Sequence, residues 1–284
     1  MDIEPIHIER DVTFGSANGR DLKLDLYWPE DVAATRTAVL LVHGGGWRAG
    51  HRAMMTANGE ALARLGYLGV AIEYRLLGES PWPAQLDDVK LAVSYVASHA
   101  DSLGIDPGRI VLQGFSAGAH LSLMAAADLH DDVAAVVSLF PPVELVTTTP
   151  GEGQAAAAML LSDPSDAAAA RHASPLHRVA ADYPPTFLIH GAEDWLSSPV
   201  ASLRMYEALM NAGVKTELHI YAGHTHEFAV APYMLQPVHD EIALFLQRIV
   251  VDPEGARQDD LAHNPMFANG PEAFHRRMAE LNQT

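Results

Sequence analysis

Apolar positions follow two rhythms along this chain. Near the start they alternate with polar ones: Val12–Phe14 and Leu22–Tyr27 each show a period of two, and Ala17-Asn18-Gly19 lies between them as a turn. That pattern predicts two antiparallel β-strands. After Pro29 the apolar residues gather into short unbroken runs, Ala38–Val42, Leu68–Ile72, Ile110–Leu112, Val133–Leu139, Thr186–Ile189 and Leu218–Tyr221. Runs this short, rich in Val, Ile and Leu and bounded by Gly or polar residues, predict strands covered on both faces. Between them lie segments of helical period, Ala53–Leu65, Ala84–Ser102, Ser116–Leu129, Val200–Ala212 and Gln236–Val250, two of them stopping at Gly66 and Gly213. Strand–helix alternation of this kind predicts an α/β fold: a mostly parallel central sheet with helices on both faces and the N-terminal pair as an antiparallel edge.

Two segments break the alternation. Residues 141–185 carry turn signals and no strand pattern, and an excursion of that length in a compact domain is expected to form a lid or a pocket wall. From Asp252 the chain is polar, with a helix expected at Pro271–Leu281. The expected organisation is one α/β domain over 1–251 and a C-terminal extension over 252–284. A contact between two copies of the chain, built on that extension, is one expectation.

Composition narrows the function classes. Asp and Glu number 36 against 18 Lys and Arg, a formal charge of −18, which argues against nucleic acid and anionic membrane surfaces as partners. Cysteine is absent, which excludes disulfides, thiolate nucleophiles and Cys-ligated zinc. No apolar run is long enough to span a membrane, and MDIEPIHIER lacks the pattern of a secretory signal, so the expected location is cytoplasmic.

The candidate chemistry begins at GFSAG, residues 114–118, placed between a predicted strand and a predicted helix. In that setting G-x-S-x-G forms a nucleophile elbow, with Ser116 at the tip of a sharp turn. A serine needs a base to take its proton, and that base needs a carboxylate to hold it. After the strand in PPTFLIHGAEDW come Glu193 and Asp194, of which Asp194 is the stronger candidate. In the loop of TELHIYAGHTHEF stand His224 and His226. Two histidines at this spacing would also suit a metal, but no third ligand or H-E-x-x-H accompanies them, so no metal is expected. Upstream, HGGGW at 43–47 follows a buried strand. It lacks the G-K-[ST] of a phosphate loop, and its glycines would let backbone approach a bound atom closely.

Taken together, these stretches resemble the α/β-hydrolase esterases and lipases, in particular the hormone-sensitive-lipase-like and BD-FAE-type carboxylesterases. The matching segments are HGGGW (43–47), YRL (74–76), PAQLDD (83–88), DPGRI (106–110), GFSAGAHL (114–121), SPL (174–176), PPTFLIHGAED (184–194) and HEF (226–228), in family order over roughly residues 20–250. The resemblance implies an α/β-hydrolase fold and a Ser116–His226–Asp194 triad. It also implies an oxyanion hole from the amides of Gly45, Gly46 and Ala117. The substrate would be a small or medium ester, cleaved through an acyl-enzyme without cofactor or metal. Trp47, Phe115, Trp195 and Phe228 flank this machinery as candidate pocket residues; packing is the alternative role for each, and one or two are expected to line an acyl or alcohol pocket. Glu227 stands where the resembled family mostly has Gly. Amide hydrolysis by the same machinery, as in an arylformamidase or peptidase, is the alternative activity, and a non-catalytic ligand receptor on this scaffold is a third reading.

Overall fold

The computed structural model describes residues 6–31, 35–146, 152–264 and 274–276. The strands β1 (His7–Ala17) and β2 (Arg20–Trp28) pair antiparallel. They join through Asn18 and Gly19, both at positive φ, the backbone that a two-residue hairpin turn demands. Six further strands follow: β3 (Ala38–Val42), β4 (Leu68–Ile72), β5 (Ile110–Phe115), β6 (Ala135–Leu139), β7 (Thr186–Gly191) and β8 (Thr216–Tyr221). The sheet order is β1-β2-β4-β3-β5-β6-β7-β8. The six are mutually parallel, and β2 joins β4 antiparallel, so the predicted antiparallel edge is present.

Every residue of β3, β4, β5, β6 and β7 is buried, which explains their unbroken apolar runs. Successive side chains of a strand point to opposite faces. Leu40 and Val42 accordingly enter one core with Val89, Val93, Leu121 and Met205, while Val39 and Leu41 enter the other with Leu62, Val238 and Phe245. The first core is covered by the helices α2 (Ala84–Ser98), α3 (Ala117–Asp128) and, later in the chain, Pro199–Asn211. The second is covered by α1 (Thr56–Arg64) and by Pro232–Leu246.

The excursion holds α4 (Glu152–Leu160) and α5 (Ala167–His172) and no strand among its described residues. The chain then continues through α6 (Pro199–Asn211), α7 (Pro232–Leu246) and α8 (Pro253–His263). Several helix boundaries differ from expectation, by up to four residues. The segment predicted to start at Gln236 starts at Pro232 and carries Pro237 inside it. Pro237 is exposed, so the carbonyl it leaves without an N–H can be met by water, and Pro232 suits the first helical position. The helix predicted to reach Ser102 ends at Ser98. The expected helix at Pro271–Leu281 lies outside the described residues except for 274–276, which are helical.

Near the carboxyl end of β4, where β2 pairs with it, Arg52 is enclosed by carboxylates. Its Nε donates to Asp25 at 2.9 Å and its Nη1 to Glu73 at 2.7 Å, and it pairs with Asp11 as well. Burial opposes the charge on Arg52, but these carboxylates outweigh it and raise its pKa. Arg52 closely follows the glycine loop after β3, so the cluster ties that loop's exit to β2 and β4.

Candidate active site

In an open α/β sheet, ligands bind beyond the carboxyl ends of the parallel strands. The loops after β3, β5, β7 and β8 carry HGGGW, Ser116, Asp194 and His226 respectively. All four arrive at one place.

Ser116 sits between β5 and α3 at φ 52°, ψ −115°. This backbone is strained for a residue with a Cβ, and such strain gathers at functional sites. The turn closes because its glycines leave room. A Cβ on Gly118 would lie 2.1 Å from the carbonyl oxygen of Val42, and one on Gly114 would lie 2.2 Å from that of Gly118. The Ser116 N–H donates to Leu139 at 2.9 Å, which fixes the tip against β6. The N-terminus of α3 beneath it favours negative charge.

The loops after β7 and β8 are laced together. The N–H of Ala192 donates to Tyr221 and that of Glu193 to His224, each at 2.8 Å. This lacing brings Asp194 beside His226. The His226 Nδ1 lies 2.6 Å from Asp194 Oδ2, and its Nε2 lies 2.9 Å from Ser116 Oγ. Since the carboxylate only accepts, Nδ1 carries the proton and Nε2 accepts from the serine hydroxyl. The ring packs 4.7 Å from Phe140, which limits its tilt. His224 is directed elsewhere, 4.9 Å from the Phe228 ring, and Glu193 is exposed.

Asp194 is fully enclosed, and four donors satisfy it. Its Oδ1 accepts from the N–H groups of Leu196 and Ser197, both at 2.9 Å. Its Oδ2 faces His190 Nε2 at 3.2 Å in addition to His226. His190 Nε2 also lies 2.7 Å from the Ser197 carbonyl, so this nitrogen carries the hydrogen and donates to both. Its Nδ1 accepts from the Ser202 hydroxyl at 2.7 Å. Burial holds the pKa of His190 below its ordinary value, against the pull of Ser197 and Asp194, so the ring is neutral near pH 7. Sequence reasoning missed His190 and Ser202. The only signal was an imidazole beside the glycine in HGAED, too common a pattern to single out.

The glycine loop after β3 supplies backbone. Gly45 has φ +116°, and a Cβ there would lie 2.1 Å from the carbonyl oxygen of Ala49. The N–H groups of Gly45, Gly46 and Ala117 have no acceptor among the described residues, and all three residues line the cavity that contains Ser116. His43 braces the loop entry. Its Nδ1 donates to the Gly44 carbonyl at 2.8 Å, its ring stacks on Tyr74 at 4.3 Å, and burial lowers its pKa to about 4.

The cavity measures about 790 Å³. Val143, Val146 and Met159 of the excursion form one wall, Trp195, Leu196 and Val200 another. Arg48, in the glycine loop, donates to the Met159 carbonyl at 2.8 Å and ties α4 over the site. Of the four candidate pocket aromatics, Trp47 and Trp195 line the cavity; Phe115 and Phe228 do not. Phe115 precedes Ser116 at the end of a strand, so it points to the opposite face and packs 6.2 Å from Phe140. Phe228 is buried in the same core, 5.1 Å from the Tyr221 ring.

No cluster of three or more His, Cys, Asp or Glu suited to a metal occurs among the described residues. No described helix is long and apolar enough to cross a membrane.

The sequence model of the family described as BD-FAE matches residues 24–209. The chain is 28% identical over 274 residues to Esterase LipQ of Mycobacterium tuberculosis, covering 89% of this chain and 65% of that protein. It spans between 38% and 65% of the length of the curated relatives it matches. Among solved structures, a truncated carbohydrate esterase from gut microbiota superposes with a TM-score of 0.74 at 26% identity, covering 84% of this chain and 95% of that one. A thermophilic esterase, Est2 of Thermogutta terrifontis, superposes with a TM-score of 0.73 at 26% identity, covering 88% and 95%.

Proposed function

The chain belongs to the BD-FAE family of α/β-hydrolase esterases, and from that premise we propose that it is a serine carboxylic ester hydrolase working through an acyl-enzyme. The observation that carries the reading is the continuous relay from Ser116 Oγ to His226 at 2.9 Å and from His226 to Asp194 at 2.6 Å. Ser116 attacks the ester carbonyl while His226 takes the hydroxyl proton. Asp194 holds the imidazole in the tautomer that accepts it and stabilises the imidazolium that forms. The carbonyl oxygen becomes an oxyanion, and the free N–H groups of Gly45, Gly46 and Ala117 are the donors it meets. Each such donor is worth about 3 kcal/mol to the transition state.

Collapse of the tetrahedral intermediate breaks the bond to the alcohol, which leaves with the proton from His226. Water then attacks the acyl-Ser116, His226 again accepts a proton, and the acid departs as Ser116 is regenerated. The apolar wall formed by Val143, Val146 and Met159 suits a small or medium acyl chain.

The test is hydrolysis of a p-nitrophenyl ester series, with an anilide alongside to separate ester from amide cleavage. Ser116→Ala is expected to lower kcat at least about a thousandfold. Ester turnover that survives the substitution rules the mechanism out.

A further inference from the structure

The cavity walls carry few charged side chains. Arg204 pairs with Glu144, and Glu144 also lies 3.3 Å from His177 Nε2. Glu227 is different. It lines the cavity, it is exposed, and its carboxylate has no hydrogen-bond or ion-pair partner among the described residues. Its backbone is left-handed, φ 59° and ψ 15°, where any side chain beyond glycine is crowded. A carboxylate held in that conformation beside His226 points to use at the site.

A second group accompanies it. Trp195 lines the same cavity and is 79% exposed, an indole whose faces are left largely to solvent. A cation is attracted both to an aromatic face and to a carboxylate, and quaternary ammonium groups are recognised this way. Trp195 and Glu227 line the same cavity as Ser116 and His226, so both face the space in which an ester bound to the serine would lie. His226 must protonate the leaving alcohol, so the alcohol portion of an ester lies on its side of the cavity. The acyl portion then takes the apolar wall. The acidic balance of the chain, −18 in formal charge, also favours approach of a cation.

We propose that the site selects esters whose alcohol portion carries an ammonium group, with Glu227 and Trp195 as the specificity-determining residues. This rests on the serine-esterase reading above. The experiment compares acetylcholine with its uncharged isostere, 3,3-dimethylbutyl acetate. Wild type is expected to favour the cationic ester in kcat/KM. Glu227→Gln should lower the ratio of the two kcat/KM values about three- to tenfold, and Trp195→Leu about threefold. In wild type the KM for acetylcholine should rise with added salt, because the attraction is screened.

A wild-type ratio near one overturns the proposal, as does a ratio unmoved by both substitutions. Equal losses on both esters in Glu227→Gln also overturn it, because the carboxylate would then act through His226. If Ser116→Ala still cleaves the uncharged ester, the serine mechanism fails instead, and that result is distinct from a failed charge preference.

Discussion

Two clusters at the carboxyl end of this sheet bury carboxylates, and they satisfy them in different ways. Around Arg52, Asp25 and Glu73 meet a guanidinium, which stays charged at every pH the fold survives. Around Asp194, the partners are two backbone N–H groups and two imidazoles. The first arrangement is built on a cation that keeps its charge, and it holds strands together. The second leaves a group able to gain and lose a proton beside a nucleophile. Burial alone therefore does not single out a carboxylate suited to the proposed chemistry. What marks it is a partner that can change charge.

Mutation should separate the two clusters, one by rate and the other by stability. Asp194→Asn keeps the side-chain volume but cannot enforce the His226 tautomer. Its kcat should fall on the order of ten-thousandfold, while the urea midpoint moves little. Arg52→Ala should do the reverse, because it leaves buried Asp25 and Glu73 with only the longer contacts to the more exposed Arg10 and Arg20, at 3.4 and 3.3 Å. Its unfolding free energy should drop by about 3 kcal/mol in urea denaturation, with a much smaller change in kcat per folded molecule. Activity lost from Arg52→Ala in proportion to that of Asp194→Asn would show that the edge cluster positions the glycine loop directly.

The same contrast explains what could be read from the chain beforehand. The buried strands announce themselves because residues covered on both faces must be apolar, and β3 and β4 match their predicted limits at both ends. GFSAG is legible because only small residues fit where Gly118 approaches Val42. The orientation of side chains within loops is not legible in this way. His224 and His226 share one short loop, and the tertiary lacing after β7 and β8 decides which faces Ser116. Phe115 and Phe228 sit next to site residues in sequence but on the opposite side of the backbone, so adjacency misleads. The His190–Ser202 contact joins a strand to the helix that follows its loop, and neither residue type demands the other. Boundaries of exposed helices, as at Pro237, depend on whether water can satisfy a freed carbonyl.

A pH experiment sharpens the contrast further. His43 and His120 flank the glycine loop and the elbow, and burial lowers each to about 4. His120 Nε2 donates to the Ala173 carbonyl at 2.8 Å, while its Nδ1 is buried without a partner, so the neutral ring is the one the fold accommodates. The unfolded chain takes up a proton at each near pH 6.5, which the folded chain refuses until about 4. Their contribution is thus fully present above pH 6.5, falls as the pH drops through that window, and levels off below about 4. Between pH 7.5 and 5 the loss should be about 2 kcal/mol for each. Urea unfolding at the two pH values measures it. In His120→Gln the difference between them should shrink by about that amount, whatever the substitution costs at pH 7.5.

The smallest expected effect falls on the second imidazole at Asp194. His190 donates to the carboxylate without touching the serine, so it is a positioning residue. His190→Ala removes one charge-assisted hydrogen bond and should lower kcat roughly tenfold with little change in KM. His190→Gln, whose amide can reach the place of Nε2, should recover most of the rate. The pH profile carries the discriminating sign. An Asp194 carboxylate with one donor fewer holds more of its charge for His226 and favours the imidazolium. The acid limb of kcat/KM should therefore move to higher pH in His190→Ala and return in His190→Gln. A purely structural loss would lower the amount of active enzyme and leave that limb where it stands in wild type.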